Sequence, residues 1–223
     1  MRSAIGDYTD WLSIRYTPAI EELLPFALVP YLSKGQSALD VGCNAGGVAL
    51  FLASHGLNVT GIDLNSQAID VARKQAAASS FGSSLRFTVA DITQFDPSTN
   101  FDVLLMIRVL TCFPDLTSWK SVLRRTQSLL REGGMLYVHD FLMAKDNEAY
   151  RDRYAVGVQQ GWRAGNFSVS ERDGTPLFVA HHHSRDEVQQ IKEGYSERVF
   201  DIHESLSMNG NRCTMFEFIG VKS

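Results

Sequence analysis

The period of the apolar positions changes several times along the chain, and the changes mark its elements. Short, almost wholly apolar runs predict buried strands at 37–41, 58–63, 85–90, 101–107 and 134–140. Between them, apolar residues recur at three- and four-residue spacing and predict helices at 46–56, 66–80 and 117–131. Asn65-Ser66 supplies a helix cap, and Gly133-Gly134 stops the helix before the fifth strand. Strands that alternate with helices imply an α/β fold, a doubly wound and mostly parallel sheet with helices on both faces.

The two ends of this run read differently. Residues 8–32 are rich in Trp, Leu, Ile, Tyr and Phe, but Pro18, Pro25 and Pro30 cut them into short helical pieces packed on the sheet. After the fifth strand the rhythm breaks. Ala144 to Arg163 reads as a polar helix, with Tyr150, Tyr154 and Val158 every four residues. Asn166–Val169 and Pro176–Ala180 flank Glu171–Thr175 as a hairpin signal. Ser184 starts a helix to about Glu193, and two alternating strands, Val199–Leu206 and Cys213–Val221, close the chain around the turn signal Met208-Asn209-Gly210-Asn211. One domain, 1–223, is expected: a helical cap (1–35), a core (36–142), an inserted lid (143–183) and a closing helix and hairpin (184–223).

Chemistry concentrates in Ser37 to Gly56, a strand, a turn of small residues and a helix. Small side chains there let a ligand approach the backbone and the helix N-terminus. Asn44 stands where a dinucleotide loop needs its second glycine for the pyrophosphate, which argues against a nicotinamide cofactor. Asp40, just before the turn, suits a cationic ligand. Asp63, about 20 residues past the turn at the end of the second strand, is placed to accept from both hydroxyls of a ribose.

These residues resemble the first motif of the class I S-adenosylmethionine (SAM)-dependent methyltransferases, read here as Asp40-Val41-Gly42-Cys43-Asn44-Ala45-Gly46 with Asn44 as the departure. The resemblance continues in order through Val59–Leu64, Val89–Ile92, Phe101–Leu105 and Leu129–Gly134, covering about residues 36–142. It implies a seven-stranded sheet of order 3-2-1-4-5-7-6 with an antiparallel last strand, and SAM as cofactor with S-adenosylhomocysteine (SAH) as product. It also implies that Asp40 offsets the methionine ammonium and that Gly42, Cys43, Asn44 and Gly46 lie along the methionine part. Asp63 and Leu64 would then meet the ribose, Asp91 the adenine amino group, and Ile92 the adenine ring. Tyr16, in the N-terminal cap, and Arg108, past the fourth strand, complete the expected cofactor set.

Apolar content of 44%, 21% charged residues and a net charge of −4 are ordinary for a globular protein and give no basic field for nucleic acid. The Asn-Pro-Pro-Tyr-type tetrad of many base N-methyltransferases is replaced by Ile107-Arg108-Val109-Leu110. No apolar run reaches the ~20 residues needed to span a bilayer, the N-terminus has no signal-peptide core, and three scattered cysteines suggest a reduced, cytoplasmic setting.

Transfer from SAM needs positioning and exclusion of water, with a base only where the nucleophile carries a proton. His139 and Asp140, ending the fifth strand, are the expected base. His181-His182-His183 is not read as a metal site, because neighbouring strand residues alternate faces and at most His181 and His183 converge. These histidines, with Tyr150, Tyr154 and Trp162, are expected to wall an acceptor pocket. The leading expectation is methyl transfer to O or N of a small molecule. An RNA methyltransferase and a SAM-binding module without turnover are the alternatives, and a homodimer is left open.

Overall fold

A computed structural model of the chain describes residues 24–144, 146–170, 175–207 and 211–223. Tyr16 of the expected cofactor set, and the tips of both late hairpins, lie outside these residues. A short 3-10 turn, Phe26–Tyr31, leads into β1 (Ser37–Val41), α1 (Gly47–Ser54), β2 (Asn58–Asp63), α2 (Ser66–Ala78), β3 (Leu85–Val89), β4 (Phe101–Ile107), α3 (Leu116–Leu129) and β5 (Leu130–Leu142). Then come α4 (Glu148–Gln159), β6 (Asn166–Ser170), β7 (Pro176–His181), α5 (Arg185–Lys192), β8 (Tyr195–Leu206) and β9 (Arg212–Lys222).

Seven strands form one sheet in the order β3-β2-β1-β4-β5-β9-β8. The pairs among β1 to β5 are parallel, and β9 runs antiparallel to both β5 and β8. With β6 and β7 set apart as their own ribbon, this is the expected 3-2-1-4-5-7-6 order. The central strands are buried on both faces, which is why they read as unbroken apolar runs. Alternation splits each between two cores. Leu39, Leu104, Met106, Leu136 and Val138 meet Trp119 of α3 and Val188 of α5 on one face. Ala38, Val103, Leu105 and Tyr137 meet Ala49 and Leu52 of α1 and Ala72 of α2 on the other.

Caps set the helix starts. Asn65 accepts from the backbone N–H groups of Gln67 and Ala68, and Asp115 from that of Ser118. Ser184 and Glu187 form a reciprocal capping box on α5. Helix α4 is shorter than the expected 144–163, because the chain turns at Gly161 (φ 78°) and Gly165 (φ 91°) to enter β6. Strand β5 is longer than expected, since β9 pairs with it as far as Leu142.

The two edges of the sheet differ. At the edge where β1 and β4 begin, Asp102 takes the backbone N–H and hydroxyl of Ser37 and an ion pair from Arg131 at 2.7 Å. The opposite edge carries the loops. In the register, Val41 lies opposite Met106 and Ile107 opposite His139, so the β1 turn and the tips of β4 and β5 meet there. The 143–183 insertion is stitched to the same edge: His183 forms a bridge with Leu142, Met143 N donates to His183 O (2.8 Å), and Asn166 Nδ2 donates to Pro114 O (3.1 Å).

Candidate active site

After Val41 the backbone turns through three left-handed residues, Gly42 (φ 68°), Asn44 (φ 47°) and Gly46 (φ 84°), before entering α1. Gly42 N and Cys43 N both donate to Ile62 O, which ties the turn to β2. Two glycines are required sterically as well as conformationally. A Cβ on Gly42 would lie 2.8 Å from Val109 Cγ2, and one on Gly46 would lie 2.8 Å from the Phe87 ring. Asn44 adopts the left-handed region that asparagine tolerates best among side-chain-bearing residues.

Asp63 gathers the adjoining backbone. Its Oδ2 accepts from Asn44 N (2.9 Å) and its Oδ1 from Asn65 N (2.8 Å), and a carboxylate still has lone pairs on both oxygens for further donors. Asp40 is 2% exposed, and its Oδ2 has no hydrogen-bond partner among the described residues. Burial first, then the charge of Asp63, push its pKa up to about 8, against the lowering effect of a backbone hydrogen bond from Ala49. Asp91 Oδ1 accepts from Thr93 N and Oγ1, both at 2.8 Å, while Ile92 is buried and Leu64 half-buried. Two close carboxylates and an orphaned buried oxygen fit a ligand that carries positive charge and a diol, as SAM does.

At the tips of β4 and β5, Arg108 is left-handed (φ 56°) and its N–H donates to His139 O at 2.8 Å. Its guanidinium reaches toward the closing hairpin, with Nη2 3.2 Å from Leu206 O and the group 5.4 Å from the Phe141 ring centroid. His139 is 6% exposed, its Nε2 lies 3.1 Å from His203 Nε2, and its Nδ1 has no hydrogen-bond partner among the described residues. Burial, His203 and Arg108 lower its pKa to about 4. Asp140, the next residue on the strand, faces the other way. It is fully buried and accepts from Phe141 N (2.8 Å) and Thr111 N (3.2 Å). Burial raises its pKa to about 7 in spite of these bonds.

A family model described as a methyltransferase domain matches residues 39–136, from the strand before the turn to the middle of β5. A SAM-dependent methyltransferase from Methanosarcina mazei superposes with a TM-score of 0.79 and 27% identity, over 94% of this chain and 99% of that one. Residues 39–136 carry a methyltransferase domain similar to those of the class I enzymes, whose cofactor is SAM. Curated relatives include a ubiquinone biosynthesis O-methyltransferase of Actinobacillus pleuropneumoniae, 35% identical over 46% of this chain and 44% of that protein. A sterol 4-C-methyltransferase of Caenorhabditis elegans is 30% identical over 84% of this chain and 52% of that protein. The chain spans about half the length of these relatives.

The histidine run beyond the matched residues is used for packing. His181, His182 and His183 are 0%, 3% and 0% exposed. His183 Nε2 accepts from Trp119 Nε1 (3.1 Å), and its Nδ1 lies 3.2 Å from Phe141 O. His181 sits 2.7 Å from Asn166 Oδ1 and 3.2 Å from Glu187 Oε2. The rings of His181 and His183 converge at 4.9 Å, as alternation requires, whereas His182 turns to the other face and stacks on Phe141. His182 Nδ1 lies 2.6 Å from the Tyr154 hydroxyl, and burial lowers its pKa to about 3. Tyr150 and Tyr154 pack with Phe167 in a small core that the insertion shares with Phe141 of β5 and Cys213 and Met215 of β9, and Trp162 is half-buried at the turn into β6.

Sequence reading missed several partners. Glu187 is an acidic neighbour of His181 that lies six residues away, held well below the usual carboxylate range. Burial alone would raise it, but His181, the Ser184 N–H and Arg163 outweigh that. Asp201 and His203 were also missed. Their signal was the i, i+2 spacing in an alternating strand, which puts both on one face.

Proposed function

We propose that the protein transfers the methyl group of SAM to an O or N atom of a small-molecule acceptor at the edge where β1, β4 and β5 end. The observation that carries this is the Asp63 carboxylate, which fastens the Asn44 and Asn65 backbones while keeping acceptor capacity for a diol. Asp40 would face the cofactor's ammonium, Gly42 and Gly46 would admit it against the backbone, and Ile92 would pack on its adenine. SAM itself supplies an activated methyl group on a sulfonium. The chain then has to hold the acceptor in line and exclude water.

The insertion, with the N-terminal residues, is the part we assign to the acceptor, because it is attached to the Pro114 loop and to the end of β5. The named relatives are an O-methyltransferase of ubiquinone biosynthesis and a sterol 4-C-methyltransferase, which supports a small-molecule acceptor. A second reading, transfer to carbon, is favoured by the sterol 4-C-methyltransferase, whose match runs beyond the core to 84% of this chain. Incubation with methyl-labelled SAM and fractionated cell extract tests the proposal. Label in a small-molecule fraction supports it and mass spectrometry then identifies the atom. Label in RNA, or SAH binding without transfer to any fraction, would overturn it in favour of the corresponding alternative.

A further inference from the structure

Asp201, His203 and His139 form a line from the surface of β8 to a buried nitrogen. Asp201 Oδ2 lies 3.2 Å from His203 Nδ1, and His203 Nε2 lies 3.1 Å from His139 Nε2. The two imidazoles meet tip to tip, with centroids 5.2 Å apart and planes within 25° of each other. The side chains of Asp201 and His203 are 62% and 37% exposed, whereas His139 is 6% exposed and its Nδ1 has no partner among the described residues.

Hydrogen-bond polarity fixes the protons along this line. A carboxylate only accepts, so Asp201 requires a proton on His203 Nδ1. A neutral His203 then has a bare Nε2 and must accept from His139 Nε2–H. A neutral His139 in turn has a bare lone pair at Nδ1. We propose that Asp201 and His203 are positioning residues that hold His139 as its Nε2–H tautomer, leaving Nδ1 to take the proton of an O–H or N–H acceptor. This rests on the methyl-transfer reading above.

The step balances within the line. As the acceptor's O or N bonds to the methyl carbon and the carbon–sulfur bond breaks to give SAH, the acceptor's proton goes to His139 Nδ1. The Nε2 proton of His139 passes to His203, whose imidazolium stands beside the Asp201 carboxylate and in reach of solvent. His139 is not asked to keep the charge, which suits a ring facing Arg108 from β4 and His203 from β8. Glu217, across the β5–β9 register from His139, is occupied by the Tyr137 hydroxyl at 2.7 Å. Asp140 faces the opposite side of the sheet.

Prior protonation of His203 reverses the line. Both of its nitrogens then donate, His139 Nε2 must accept, and the remaining His139 proton sits on Nδ1, where it blocks the base. The arrangement therefore couples a buried tautomer to the charge of an exposed ring.

The test is nitrogen NMR of the full chain, labelled with 15N-histidine and saturated with SAH, with the His139 signals assigned by their loss in His139→Asn. The expected result is a neutral His139 protonated at Nε2 near pH 8, switching to the Nδ1–H form as His203 takes up a proton. His203→Phe should abolish the switch, and Asp201→Ala should raise the Nδ1–H share at pH 8 several-fold while His203→Phe and Asp201→Ala leave SAH affinity within a few-fold. An Nδ1–H tautomer at pH 8 in the wild type, or a tautomer indifferent to both variants, would overturn the assignment. Neither readout depends on turnover, so failure of the methyl-transfer reading is detected separately by the labelling experiment.

Discussion

Asp63 Oδ2 stands 2.9 Å from the backbone N–H of Asn44, so one carboxylate serves both the loop and the diol proposed to bind it. Removing it leaves the Asn44 and Asn65 N–H groups without this acceptor and takes a charged partner from the ligand. Asp63→Ala should weaken SAH binding by ~1.5–3 kcal/mol, the scale of hydrogen bonds to charged groups. Calorimetry giving unchanged affinity would remove Asp63 from the site.

Stability should vary with pH in a way set by buried groups. His139 and His182 are lowered from 6.5 to about 4 and about 3, so the unfolded chain binds protons that the fold refuses, and their contribution is lost as pH falls below 6.5. Asp40 and Asp140 are raised from 3.8 to about 8 and about 7, so the fold keeps protons that the unfolded chain releases. Their contribution is present below 3.8 and lost as pH rises toward 8. Between pH 6.5 and 8 only the two acids act among these four, and the ligand-free protein should lose on the order of 1 kcal/mol per pH unit there. SAH, whose ammonium favours ionised Asp40, should flatten this decline. A melting temperature that rises from pH 6.5 to 8 would contradict the assignment.

Among the described residues no group of three or more His, Cys, Asp or Glu side chains is placed to hold a metal ion. Extended dialysis against a strong chelator should therefore leave SAH affinity and any labelled methyl transfer unchanged. Loss of transfer that a single divalent ion restores would show otherwise.

His183→Ala should destabilise the protein by about 2–4 kcal/mol, because it leaves the buried Trp119 Nε1–H without an acceptor and opens a cavity. SAH affinity should stay within a few-fold at a temperature where the variant is folded. Denaturant melts and calorimetry on the same preparation separate the two effects. A large loss of affinity in a stable variant would place His183 near the ligand.

The core was legible because its physics is local. A strand buried on both faces must be apolar throughout, and a turn that meets Val109 and Phe87 must use glycine, so β1 to β5 and the SAM loop show in the residue order itself. The insertion was legible in outline only. A histidine at a strand end looks the same in sequence whether it faces a ligand or a tryptophan, and what decides between them is Trp119, 64 residues away. His139 and Asp140 looked like one catalytic pair, yet strand alternation sends them to opposite faces. Asp201 and His203 gave only a spacing, and their link to His139 depends on β8 lying two strands from β5 in the sheet order.

The bridge between Leu142 and His183 has a consequence for how this chain can diversify. Some forty residues leave the sheet and return through neighbouring backbone hydrogen bonds, Met143 N to His183 O and His183 N to Phe141 O. The segment is closed at its neck and fastened again further along, where Asn166 Nδ2 donates to Pro114 O and Tyr150 and Tyr154 pack with Cys213 and Met215 of β9. Doubling such a loop adds only about 0.6 kcal/mol of closure entropy. On the function proposed above, exchanging the residues between Met143 and His183 while keeping these fastenings should redirect the choice of acceptor and leave the turn after β1 as it is.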